Sequence, residues 1–179
     1  FAQEVDRFSR RWDELGRPVV IAACSTCHAM LRDNLPQVDV ASLWQIWADG
    51  DQPQVHHHPE AVLAVHDPCT TRGQESLQAS ARRILQRAGV AFEELELSRD
   101  RTECCGFGGL MQNANPALAR EVVGRRATQS AADYLAYCAM CRDSLAAVGK
   151  RVLHMLDLFF PEGDSDPAAR PRVGWSDRQ

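Results

Sequence analysis

The segment Ala61-Val62-Leu63-Ala64-Val65-His66-Asp67-Pro68-Cys69 sets the architecture of this chain. Five apolar residues without a polar alternation read as a strand buried on both faces, and the run ends in a Pro-Cys turn. Residues 74–88 follow as an amphipathic helix, with Leu77, Ala81, Ile84, Leu85 and Ala88 on one face and Gly89 as its stop. Strand, cysteine loop and helix therefore form one unit. Downstream, Val90 to Leu97 predicts a strand, and Cys104-Cys105-Gly106-Phe107-Gly108-Gly109 a glycine-rich turn. Asn115-Pro116 supplies a cap and a first position for a helix to about Ser130. Asp133 to Tyr137 predicts another strand, which runs into Cys138.

Upstream the same grammar returns. Residues 2–15 read as a helix with Val5, Phe8, Trp12 and Leu15 on one face and Gly16 after it. Val19 to Ala23 reads as a buried strand running directly into Cys24-Ser25-Thr26-Cys27. Residues 42–47 predict a turn or two of helix, and residues 49–60, with Gly50, Pro53, His56-His57-His58 and Pro59, a solvated linker. From Glu162 onward the chain is polar and predicts a frayed, flexible tail.

These observations make an internal repeat. Ala23 to Cys27 followed by Leu31 parallels Tyr137 to Cys141 followed by Leu145, and Val40 to Trp47 parallels Val152 to Phe159 in apolar pattern. The expected fold is α/β: repeated strand–loop–helix units in two pseudo-symmetric halves, with small parallel-rich sheets and cysteine loops at their junction. In open α/β sheets, loops of that kind are where ligands bind.

The chain has 179 residues, a formal net charge of −4 and seven cysteines. That length can bury a real core, and the mild negative charge lacks the clustered Lys and Arg of a nucleic-acid footprint. No apolar run approaches a membrane span, and no signal peptide is visible. An odd cysteine count arranged as C-x-x-C pairs reads as metal or redox chemistry in a reducing compartment, so a cytoplasmic setting is expected. Phe1 is not an initiator residue, which predicts a piece of something longer.

Cys69, Cys104, Cys105, Cys138 and Cys141 form the informative set. Thiolates bind soft metals and iron–sulfur clusters. Adjacent cysteines diverge too far to grip one zinc ion comfortably, whereas their sulfurs can reach different irons of one cluster. Five thiolates also exceed the four of a tetrahedral zinc site. Cys24 and Cys27 stand apart as an incomplete second site, empty or oxidised. His66 and His154 are candidates for hydrogen bonds to the site, against plain roles in a turn or at a strand end. The glycines at 106–109 are too short and wrongly placed for a dinucleotide fingerprint and leave room around the cysteines instead.

The order Cys69, then Cys104-Cys105-Gly106, then Cys138-x-x-Cys141 resembles the cysteine-rich CCG domain of heterodisulfide reductases and of the iron–sulfur subunits of glycolate, lactate and glycerol-3-phosphate oxidation systems. His66-Asp67-Pro68-Cys69 resembles the opening motif and His154 with its apolar run the closing one. The resemblance implies residues 1–58 as the tail of a first, incomplete copy, 59–161 as a complete copy and 162–179 as the tail. It implies a non-cubane [4Fe–4S] cluster on the five cysteines, with electron transfer or disulfide reduction as the activity. A flavoprotein subunit or upstream domain is then the implied partner, and a disulfide or small molecule the substrate. Two departures stand: the stretch from Gly106 to Cys138 is a little shorter than in the reductase pattern, and the first copy is incomplete. Three other readings compete: buried structural cysteines, a zinc-bound docking module using four of the five thiols, and a thioredoxin-like dithiol enzyme, which would not need Cys69 or the Cys104-Cys105 pair.

Overall fold

The structure, a computed structural model, describes residues 2–108, 111–163 and 165–171. Six short strands carry it. β1 (Val20–Ala22) and β2 (Val40–Ser42) form a two-stranded parallel sheet. β3 (Leu63–His66), β4 (Phe92–Glu94), β5 (Tyr134–Ala136) and β6 (Val152–His154) form a four-stranded parallel sheet in the order β4-β3-β5-β6. Between these strands run α1 (Ala2–Glu14), α2 (Ser25–Asn34), α3 (Leu43–Asp49), α4 (Glu75–Arg87), α5 (Met111–Ala114), α6 (Pro116–Ala127) and α7 (Ala139–Ala146). The fold is α/β, as the apolar runs predict.

Every residue of β3, β5 and β6 is buried. Leu63, Val65, Leu135 and Leu153 point into one core with Trp44 of α3 and Leu77, Ala81, Ile84 and Leu85 of α4. The alternate positions Ala64, Tyr134, Ala136 and Val152 point into a second core with Val123 of α6 and Leu145 of α7. A sheet covered on both faces buries successive strand positions, which is why β3 and β5 read as apolar runs without alternation. A third cluster, Trp12 with Leu35 and Val38, seats α1 on the smaller sheet.

The smaller unit docks through α3. Trp44 is fully buried and meets Tyr137 edge to face at 6.4 Å, and Arg87 of α4 donates to the carbonyls of Trp47, Ala48 and Gly50 at the end of α3. The linker is anchored as well: the amides of His56 and His57 both donate to the carbonyl of Leu158.

Several expectations change. β2 and β6 are strands that the apolar pattern does not reveal, because three residues are too few to establish a period. The predicted strand from Val90 to Leu97 shrinks to Phe92–Glu94, an edge strand paired only with β3. The polar stretch after Glu162 is not all loose end. Pro167–Ala169 forms a 3-10 turn with Pro167 and Ala168 buried, and buried Arg142 donates to the carbonyls of Arg170 and Pro171. A long polar side chain reaching from α7 holds that segment, which composition alone cannot show. The rest of the expected tail, 172–179, and Gly109 of the glycine turn lie outside the described residues. Among the described residues no helix is long and apolar enough to cross a membrane.

Candidate metal centre

The central strands β3 and β5 lie side by side with Val65 opposite Leu135 and His66 opposite Ala136. Beyond their carboxyl ends come Cys69 and Cys138. With the order β4-β3-β5-β6, chain connections leave β3 and β5 toward opposite edges, and the crevice between them is the usual ligand position in a parallel sheet. Cys69 opens the 3-10 turn Cys69–Thr71, while Cys138 is the N-cap of α7 with extended backbone. Cys141 follows one helical turn later, on the same side as Cys138. The third strand loop carries Cys104 and Cys105.

The sulfurs make a connected chain. Sγ of Cys69 lies 3.8 Å from Sγ of Cys104. Cys105 bonds to both Cys104 and Cys141, and Cys141 to Cys138. Sγ of Cys24 lies 3.9 Å from Sγ of Cys138. Two members are drawn toward the thiolate form. Cys104 is pulled far below the ordinary thiol range by hydrogen bonds from Cys105 and Cys69, with burial opposing and the amides of Gly106 and Gly108 adding to the pull. Cys138 is lowered to about 2 by hydrogen bonds from Cys141 and Cys24, against burial and helped by the amides of Cys141 and Met140 at the start of α7. The donors move the other way: Cys105 is pushed up to about 12 first by its bond to Cys104, and Cys69, Cys141 and Cys24 also rise. The thiols thus share protons in a soft, sulfur-rich pocket of the kind that thiophilic metal demands.

His66 sits under this pocket. A ring nitrogen of His66 and the sulfurs of Cys105 and Cys141 all lie within 4.8 Å of one another, and all three residues are buried. Nδ1 of His66 accepts from Nε of the fully buried Arg126 at 2.9 Å. A guanidinium has only donors, so Nδ1 carries a lone pair and the proton resides on Nε2. Burial first, and then the charge of Arg126, lower the imidazole to about 3, so it is neutral. Nε2 has no hydrogen-bond partner among the described residues. It is a donor, and less suited to be a metal ligand, which would need its lone pair.

Asp67 braces the three loops. Its carboxylate takes a two-point contact from Arg82 of α4, with Nη2 to Oδ2 at 2.8 Å, and accepts from Tyr137 Oη at 2.6 Å and the amide of Arg99 at 2.8 Å. Its carbonyl accepts from Thr102 Oγ1 at 2.7 Å. Burial alone would raise this carboxyl, but the hydrogen bonds and charge of Arg82 hold it below its ordinary value. One side chain therefore ties the loop of Cys69 to the residue before Cys138 and to the approach to Cys104. Gly106 has φ of +78°, and a Cβ there would meet the carbonyl oxygen of Ala119 at 2.9 Å. Only glycine fits that position beside the two cysteines.

The five cysteines singled out in the sequence thus lie in one continuous set. Cys24 and Cys27, expected as a pair apart, have different surroundings: Cys24 joins the set through Cys138, while Cys27 is exposed. His154 ends β6 and caps the 3-10 turn Met155–Leu158 that follows. Its Nδ1 accepts the amide of Leu156 and its own amide donates to Asp157. His56 and His58 are exposed, as a linker predicts. Sequence reasoning missed Arg126, Asp67, Arg82 and Tyr137. Asp67 could have been found as the acidic member of the His-Asp-Pro-Cys turn, but a buried arginine in a polar-looking helix leaves no such signal.

No curated protein matches the chain. Residues 63–145, which include all five cysteines of the set, match the family model of the CCG cysteine-rich domain. That part of the chain is similar to the CCG cysteine-rich domain, which marks it as a metal- or iron–sulfur-binding domain of redox type.

Proposed function

We propose that this chain is the iron–sulfur redox domain of a larger oxidoreductase, holding a non-cubane [4Fe–4S] cluster on Cys69, Cys104, Cys105, Cys138 and Cys141. The observation that carries this reading is the continuous run of those five sulfurs beside a buried imidazole whose Nε2 has no hydrogen-bond partner among the described residues. Bound there, such a cluster stores and passes single electrons. The protein's own part is to hold it and tune it. Five thiols supply the ligands, the Gly106 amide donates to Cys104 Sγ at 3.4 Å, and the neutral imidazole of His66 lies within 4.8 Å of the Cys105 and Cys141 sulfurs. Arg126 keeps its proton on Nε2 and sets the ring's orientation. Asp67 and Arg82 fix the loops so that the sulfurs need little rearrangement on loading. The electrons come from a flavoprotein subunit or domain, and a disulfide or small molecule is reduced or oxidised in the assembled enzyme, as in the heterodisulfide reductase family that the motifs resemble.

A zinc-bound docking module is the rival with an observation behind it, the His66, Cys105 and Cys141 cluster. The proton on Nε2 weighs against it. Anaerobic preparation followed by metal and acid-labile sulfide analysis separates the two. The expected result is iron and sulfide at about four each per chain, as a four-iron cluster requires. Stoichiometric zinc without sulfide would refute the redox reading and leave the docking module.

A further inference from the structure

We infer that Cys24 is a sixth thiol of the same metal centre, so that the centre spans both units of the chain; this rests on the reading of the five cysteines as cluster ligands. Cys24 belongs to the smaller unit, outside residues 63–145, and nothing in the family match assigns it. Three geometric facts place it. It follows β1 as Cys138 follows β5, and both are N-caps with extended backbone, at φ −112° and ψ 125° for Cys24 and φ −142° and ψ 122° for Cys138. In both C-x-x-C turns the amide of the second cysteine donates to the sulfur of the first. The two equivalent sulfurs of the repeat then meet at 3.9 Å.

That separation is informative. Two thiolates on one tetrahedral metal, with bonds of about 2.3 Å, have sulfurs about 3.8 Å apart. The Cys69–Cys104 pair stands at 3.8 Å and the Cys24–Cys138 pair at 3.9 Å, so at both ends of the sulfur chain two thiolates can reach one metal with little movement. A disulfide, with sulfurs about 2.05 Å apart, is a different arrangement. The loops themselves are tied: Ser25 Oγ, next to Cys24, lies 2.8 Å from Thr70 Oγ1, next to Cys69. Cys27 has no such placement and is exposed. Iron or another thiophilic metal bound at the Cys138 end would therefore take Cys24 as well. The thiol loses its proton to solvent on ligation, and no electron changes hands.

The test is cysteine footprinting of the full chain, unloaded and after anaerobic loading with ferrous iron and sulfide, using iodoacetamide at alkaline pH and mass spectrometry. Loading should slow labelling of Cys24 by about tenfold or more, together with the five, because the free thiolate is the reacting species; Cys27 should label at the same rate in both states. In parallel, Cys24→Ser should change the iron content or the visible spectrum of the loaded protein, and Cys27→Ser should change neither. Protection of the five with Cys24 labelling at its unloaded rate would overturn the inference while leaving the five-cysteine reading intact. Labelling of the five themselves in the loaded protein would overturn that reading, and the inference with it. The footprint is read on the unmutated chain, so it stands even if Cys24→Ser fails to fold.

Discussion

A buried imidazole facing a buried arginine has its protonation fixed by donor counting, and in His66 this reaches as far as stability. The ring must stay neutral in the folded chain, while in the unfolded chain it takes a proton near its ordinary value of about 6.5. Its folded value of about 3 is depressed by burial and by Arg126. Unfolded chains then bind a proton that the native state refuses, so its contribution to stability is complete above about pH 6.5 and is lost as pH falls toward 3. The metal-free protein should lose about 2 kcal/mol from this group between pH 7 and pH 5, at a limiting slope of about 1.4 kcal/mol per pH unit. His66→Gln keeps an N–H donor and removes the titration. Its urea-unfolding midpoint should fall less over that interval than the parent's, and equal pH dependence in the two proteins would show that His66 titrates normally. His66 and the five cysteines are legible in the sequence because His-Asp-Pro-Cys and the Cys-Cys-Gly turn are local. Arg126 is not, since its partner lies 60 residues away.

At the scale of elements, the strand–cysteine–helix unit explains why so much can be read locally. The unbroken apolar runs at 61–65 and 134–137 become β3 and β5, and Asn115 accepts the amide of Leu118 to cap α6 as the Asn-Pro pair predicts. β2 and β6 escape because their three-residue length gives no period, although the repeat pairs their positions: Ser42 and His154 both end their strands. The Cys-Cys-Gly turn offers a contrast between two of its glycines. Gly106 has positive φ and a close approach to Ala119, while a Cβ at Gly108 would meet nothing within 4 Å. Gly106→Ala should destabilise the protein by about 1–2 kcal/mol from the left-handed backbone alone, with the contact against Ala119 added to that. It should also lower metal loading although every thiol is retained. Gly108→Ala should be close to neutral in both. Thermal melts and iron content of the two variants check this, and a Gly106→Ala protein with parental stability and loading would contradict the role given to the turn.

Across the whole molecule, the two units are joined by contacts that include three far apart in sequence. Trp44 is buried against Tyr137, α3 is capped by Arg87, and the loops of Cys24 and Cys69 are tied through Ser25 and Thr70. None of these contacts is visible in a one-dimensional pattern. The repeat suggests two like units, but their mutual orientation depends on side chains more than 30 residues apart in sequence. The result is a thiol set with its sulfurs brought together from four loops, a suitable mould for a cluster that must change charge without large rearrangement. The measurement that bears most directly on this is a spectroelectrochemical titration of the full chain after anaerobic loading with iron and sulfide. A cluster on these thiols predicts reversible bleaching of the thiolate-to-iron absorption with about one electron taken up per cluster, following a single-electron slope of about 59 mV per tenfold change in the redox ratio. A loaded protein whose metal is zinc, or whose spectrum does not respond to applied potential, would contradict it.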